Sequence, residues 1–290
     1  MEAPPPQSVA SQRNATRELK LMNNIGSEIF YRSFSLVKLP RIERDRASSE
    51  WEKCVFPHSP LQELAPQIWH VTGTLGRAFP PREAIVYRLR DSTLLLHSPI
   101  ALAETEMQKL ESLGEPKIAI VPNRIHRLDI AIFKQRYPDL IIVAPQAAKP
   151  YVEEVVAVDA IAETFLPNYG IVCHTPEGIR PQELVYELPL DSGKALIFTD
   201  ILFNLTESYL DRYAPRSKSL VRFLGAKDYF GITPLGQRFF LTDKTAYRQW
   251  LEGLSVRVAP LETICVAHGA PITRNCSARL QEAADRLSSS

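Results

Sequence analysis

From Ile68 onward the chain is a succession of short apolar runs, separated by polar turns and by segments with helical spacing. IWHVTG (68–73) reads as a strand. AIVYRLR (84–90) and TLLLH (93–97) read as two strands of a hairpin that turns at Asp91-Ser92. AETEMQKLESLG (103–114) carries Met107, Leu110 and Leu113 at helical spacing and stops at Gly114, which predicts an amphipathic helix. A buried-strand run KIAIV (117–121), a loop PNRIHR, a helix over 128–137 ended by Pro138, and a second buried run LIIVAP (140–145) come next. The order strand, loop, helix, strand predicts a parallel crossover.

The second half repeats this style. Strands are expected at 171–174, 183–188 and 194–200, the last two joined by the turn Asp191-Ser192-Gly193. Residues 243–256 form a helix pattern with Asp243 as N-cap and an apolar stripe at Tyr247, Trp250, Leu251 and Leu254. TICVAHG (263–269) is a last buried strand running into a glycine turn, and 276–287 a terminal helix. Two such halves with hairpins predict two sheets sandwiched between helices. Residues 1–24, rich in Pro, Ser, Gln and Asn, are expected to be disordered, and the weakly periodic 25–64 to be an extension packed on a domain that starts at 65. The basic and aromatic stretch 209–223 reads as a solvated helix or as a lid over whatever Asp200 serves.

Composition narrows the function classes. At 290 residues, with 45% apolar and 23% charged, the chain is long enough to bury a core of its own. A formal net charge of +1 leaves no broad footprint for nucleic acid or an anionic membrane. No apolar run reaches the roughly 18–20 residues that span a bilayer, and the N-terminus lacks the apolar stretch of a secretory signal. A cytoplasmic protein with Cys54, Cys173, Cys265 and Cys276 as reduced thiols is therefore expected. The sequence contains no C-x-x-C, G-x-S-x-G, P-loop or G-x-G-x-x-G motif. Cys173 and His174 are neighbours on a strand and point to opposite faces, so they make a poor nucleophile–base pair.

Four landmarks remain, in order: LLLHSPI (94–100), PNRIHRLD (122–129), LIFTDILF (196–203) and VAHGAPI (266–272). Through them, residues 65–290 resemble the metallo-β-lactamase superfamily, and LLLHSPI, NRIHR and FTDILFNL resemble a divergent subgroup of it described only as a domain of unknown function. The resemblance implies a four-layer αββα sandwich with metal ligands on loops at the strand ends. It places His126, Asp200 and His268 as ligands of one divalent ion, zinc by preference, with Asp129 or His97 completing the shell. The family's other positions are altered: Arg124 stands at its first loop histidine, Leu128 at its loop aspartate, Asp129 at its last loop histidine and Ile179 at its middle histidine. His174 would replace that middle histidine only if its loop shifted. The altered set implies one ion rather than two.

Arg124 beside such a centre favours a bound anion. The implied activity is hydrolysis of an ester, thioester or lactone-type carbonyl in a small anionic substrate. Two other readings share these residues. One is a metal-free pseudo-enzyme that binds an anionic ligand or a protein partner in the old cleft. The other is a metal-free enzyme with His97 or His126 as general base.

Overall fold

The computed structural model describes residues 49–75, 78–219 and 228–288. The chain divides into two compact units, Met1–Lys38 and Leu39–Ser290. The first unit, which holds the segment expected to be disordered, lies outside the described residues, and all that follows concerns the second.

Its larger sheet runs in chain order through seven strands: β1 (Gln62–Ala65), β2 (Ile68–Leu75), β3 (Ala78–Arg88), β4 (Leu94–His97), β5 (Pro116–Ile120), β6 (Ile141–Ala144) and β7 (Ala160–Ile161). The strands from β1 to β4 pair antiparallel, whereas β4 with β5, β5 with β6 and β6 with β7 pair parallel. Parallel neighbours need a crossover. Helices α2 (Glu104–Leu113) and α3 (Ile130–Arg136) provide the two crossovers on either side of β5, after the short α1 (Glu50–Cys54). The hairpin expected at Asp91-Ser92 is present, with Arg88 opposite Leu94 and Ser92 in the left-handed region at φ 64°.

Strand β3 begins six residues earlier than its apolar run, because it continues through Pro80-Pro81. Proline withholds a ladder donor and so reads as a breaker. Here the β2–β3 ladder is irregular at that end, between Gly73 and Leu75, which accommodates it.

The smaller sheet has the order β13-β10-β9-β8, with β8 (Val172–His174), β9 (Val185–Pro189), β10 (Lys194–Phe198) and β13 (Leu261–Val266). Strands β10 and β13 are parallel, with Phe198 opposite Val266. A ribbon of β11 (Phe203–Leu205) and β12 (Tyr229–Gly231) stands apart from both sheets. The second half's helices are α4 (Lys149–Val152), α5 (Ala162–Phe165), α6 (Glu207–Tyr213), α7 (Pro234–Phe240), α8 (Lys244–Arg257) and α9 (Cys276–Arg286). Asp243 caps α8, its carboxylate accepting from the Ala246 amide at 3.0 Å.

Strand alternation builds the layers. Ile85, Leu95, Ile118 and Ile120 of the larger sheet meet Tyr186, Leu188, Ala195 and Ile197 of the smaller one in the core between the sheets. Their neighbours Ala84, Val86, Leu96 and Ala119 face the other way and are covered by Met107 and Leu110 of α2 and Ile130 and Phe133 of α3. Helices α8 and α9 cover the far side of the smaller sheet with Tyr247, Trp250, Leu251, Leu254, Leu280 and Ala283, all buried. The result is the αββα sandwich. None of the described helices is long and apolar enough to cross a membrane.

Described residues ahead of 65 pack on the larger sheet and its helices. Strand β1 pairs with β2, and Trp51 of α1 packs edge-on against Phe133 at 5.1 Å. The Trp51 indole donates to the Leu102 carbonyl at 2.8 Å, and Arg136 lies over its ring at 4.8 Å. Truncation of Trp51 removes a hydrogen bond, a ring pair and a cation–π contact together. Trp51→Ala is expected to lower unfolding stability by about 2–3 kcal/mol. Urea denaturation checks this, and an unchanged midpoint would show that the packing of this segment contributes nothing to stability.

Candidate metal centre

Parallel pairing decides where the candidate residues meet. The ends of β4 and β5 lie at one edge of the larger sheet, and the ends of β10 and β13 at one edge of the smaller sheet. Ligand sites in α/β sheets form at such C-terminal strand ends. Ser98 follows β4, His126 lies in the loop after β5, Asp200 follows β10 and His268 follows β13. A backbone bond from the Glu83 amide to the Ala267 carbonyl, 2.8 Å, ties the two edges together.

The structure brings His126, Asp200 and His268 into one buried group. His126 Nε2 lies 3.2 Å from His268 Nε2 and 3.3 Å from Asp200 Oδ1. His268 Nε2 lies 3.1 Å from the same oxygen. Each of the three is held from behind. His268 Nδ1 is 2.7 Å from the Pro81 carbonyl, which can only accept, so Nδ1 carries the proton and Nε2 presents its lone pair to the group. His126 Nδ1 is 2.7 Å from Ser98 Oγ. Asp200 Oδ2 accepts from the Asn123 side-chain amide at 2.6 Å.

The same Asn123 shapes its own loop, since its Oδ1 accepts from the backbone amides of Ile125 at 2.8 Å and His126 at 3.1 Å. Its side-chain amide also reaches Glu183 Oε2 at 3.2 Å, and Glu183 accepts from the amides of Asp200 and Ile201. On the opposite flank the Phe203 ring stacks on His268, 4.9 Å between centroids and 21° between planes.

The charges follow this geometry. Burial alone would raise the Asp200 carboxyl, but the adjacent His126 and His268 outweigh burial and hold it well below the usual carboxylate range. Glu183 goes the other way, pushed up to about 8 by burial and by the charge of Asp200. His126 is lowered by burial, opposed by Asp200 and reinforced by His268 and Arg82.

The other candidate residues have different partners. Asp129, at the start of α3, turns to Arg82, whose guanidinium donates to Oδ2 at 2.8 Å, and it accepts more weakly from the Ala101 amide at 3.4 Å. Arg124 is buried with its guanidinium 3.9 Å above the Tyr151 ring. His97 lies fully inside the core between the sheets, edge-on to Tyr186 at 5.5 Å, and neither ring nitrogen has a hydrogen-bond partner among the described residues. His174 pairs with Glu187 at 2.7 Å, away from the group. Ile179 bridges to Leu241, and Leu128 is partly exposed. Of the lid segment, Glu207–Tyr213 is helix α6, and Tyr209 donates to Glu83 at 3.0 Å, while 220–223 lie outside the described residues.

Ser98, Asn123, Glu183, Pro81 and Arg82 were not among the candidates. Only Asn123 left a local signal, an asparagine in a turn after proline.

An αββα sandwich with imidazole and carboxylate side chains at the paired strand ends is the metallo-β-lactamase fold. Three solved structures carry the likeness. A metallo-β-lactamase from Pseudomonas aeruginosa in its mono-zinc form aligns with TM-score 0.52 and 10% identity over 81% of this chain and 98% of its own. One from Erythrobacter litoralis, with β-mercaptoethanol in its active site, gives 0.52 and 13% over 78% and 96%. One from Pontibacter korlensis gives 0.51 and 12% over 78% and 98%. At these identities the likeness is one of fold. No protein-family model matches the chain, and no curated protein sequence matches it.

Burial of His97 has a measurable consequence. It lowers the imidazole from its ordinary 6.5 to about 3, with the neighbouring His126 adding to the effect. Between those values the unfolded chain takes up a proton that the folded chain refuses, so stability falls as pH drops below about 6.5. The expected loss is up to about 1.4 kcal/mol per pH unit from this residue. His97→Phe removes that component. Urea unfolding at pH 7.5 and 5 is expected to show a smaller difference in the variant than in the wild type, and equal differences would refute the assignment.

Proposed function

We propose that this protein is a hydrolase of the metallo-β-lactamase fold that holds a single divalent ion, zinc by preference, on His126, Asp200 and His268. Its substrate is a small molecule with an ester, thioester or lactone-type carbonyl and an anionic group. One observation carries the reading: three electron-rich atoms, two Nε2 and one Oδ1, lie 3.1–3.3 Å apart in a buried site. Lone pairs at that distance repel unless a cation or a shared proton lies among them. Donors at about 2.0–2.2 Å from a tetrahedral zinc ion are separated from one another by about 3.3–3.5 Å, which the observed spacing approaches.

The donor set also suits the ion: two imidazoles and a carboxylate leave the fourth tetrahedral position open, the pattern of catalytic rather than structural zinc. A bound zinc ion supplies Lewis acidity and brings the pKa of a water down to about 7. The protein's own groups do the rest. Pro81 and Asn123 hold His268 and Asp200 in their orientations. Phe203 forms an apolar wall beside His268. Arg124, braced on Tyr151, offers a fixed positive charge to the anionic part of the substrate. Asp129 and Arg82 form a buried ion pair that anchors the start of α3 behind the His126 loop.

Elemental analysis of protein purified without chelator tests the proposal. About one equivalent of zinc, manganese or iron is expected, and His268→Ala is expected to lose most of it while remaining folded. Wild-type protein free of stoichiometric metal would sink the reading and leave a shared proton in the group, as the metal-free ligand-binding alternative requires.

Arg124→Ala provides a separate check on the substrate. With a panel of carboxylate-bearing esters it is expected to raise KM about tenfold or more, with little change for uncharged esters. Equal effects on both sets would remove Arg124 from substrate recognition.

A further inference from the structure

Ser98 is a buried residue with a left-handed backbone, φ 51°, a conformation that glycine and asparagine adopt readily and serine seldom does. Its amide donates to the Ile120 carbonyl at 3.0 Å, one step beyond the pairing of His97 with Ile120, so the chain turns at the last rung of the β4–β5 ladder. At that turn the Ser98 hydroxyl lies 2.7 Å from His126 Nδ1, while His97, one residue earlier, is committed to the core between the sheets.

A hydroxyl can accept or donate here, and the choice decides what His126 offers at its other nitrogen. When Ser98 accepts from Nδ1–H, the Nε2 lone pair faces Asp200 and His268. When Ser98 donates, Nε2 carries a proton and cannot ligate. His268 has no such freedom, because its Nδ1 partner is the Pro81 backbone carbonyl.

We infer that Ser98 is a positioning residue for metal binding: its hydroxyl holds the His126 ring in the orientation that turns Nε2 toward the ion and accepts the Nδ1 proton of the ligating tautomer. This rests on the proposed metal centre. It also accounts for a serine in a conformation that glycine would adopt with less strain, since glycine lacks the hydroxyl.

That contrast provides the test. Wild type, Ser98→Gly and Ser98→Asn are titrated with zinc against a chromophoric competing chelator, and their thermal stability is measured without metal. Ser98→Gly is expected to be at least as stable as the wild type and to bind zinc about 10–100-fold more weakly. Ser98→Asn, whose side-chain oxygen accepts and whose backbone tolerates positive φ, is expected to recover part of the affinity. In zinc-loaded wild type the His126 Nδ1 proton is expected to appear in imidazole NMR spectra as a slowly exchanging signal, and in Ser98→Gly to exchange faster. Wild-type binding matched within twofold by Ser98→Gly, with the Nδ1 proton equally protected, would overturn the inference and leave the metal centre standing. A wild type that binds no zinc would overturn the centre and this inference with it.

Discussion

Two imidazole nitrogens and a carboxylate oxygen crowd together where water is nearly excluded, and the architecture around them resists their separation. Each is tethered on its far side: His268 to the Pro81 carbonyl, His126 to the Ser98 hydroxyl, Asp200 to the Asn123 amide. Tethers of this kind supply orientation and keep the three groups facing one another. A divalent cation, as proposed, would engage all three at once. The carboxyl of Asp200 is held low because the two neighbouring imidazoles outweigh its burial.

The fold meets this demand through strand direction. Parallel pairing of β4 with β5 and of β10 with β13 places four strand ends on adjoining edges, and the sandwich holds those edges face to face. The first residues of β3 then serve as a hinge post between the sheets. Pro81 fixes His268, Arg82 takes Asp129, and Glu83 takes His70 at 2.9 Å and Tyr209 at 3.0 Å. Gly269 completes the arrangement: its φ is 120°, and a Cβ there would come within 2.1 Å of the Asn204 carbonyl oxygen. The turn that presents His268 is therefore open only to glycine.

The loop residues around His126 have partners of their own. Arg124 is drawn aside onto Tyr151, Leu128 is partly exposed, and Asp129 is neutralised by Arg82. Glu183, whose carboxyl burial and the charge of Asp200 push up to about 8, stands behind Asp200 and accepts from its amide.

Much of the scaffold was legible in the chain because burial on one face or on both leaves its mark at every position. The helix ending at Gly114, the hairpin at Asp91-Ser92, the Asp243 cap and the buried strands on either side of the His126 loop were all visible for that reason. The first half of β3 was hidden, because Pro80-Pro81 carries the signal of a break and the local irregularity of the ladder that admits it does not show in sequence. His126, Asp200 and His268 could be named because the loops that carry them resemble a known metal-binding pattern. Their tethers could not, since Ser98 meets His126 across 28 residues and Asn123 meets Asp200 across 77. The amino-acid sequence by itself determined most of the elements, and its resemblance to a known family pointed to the three facing donors. Only the tertiary structure decided that Asp129 belongs to Arg82, that His97 belongs to the core, and which oxygens stand behind the imidazoles. Periodicity reports which side of an element is buried, whereas a hydrogen bond between distant strand ends exists only once the sheets have packed.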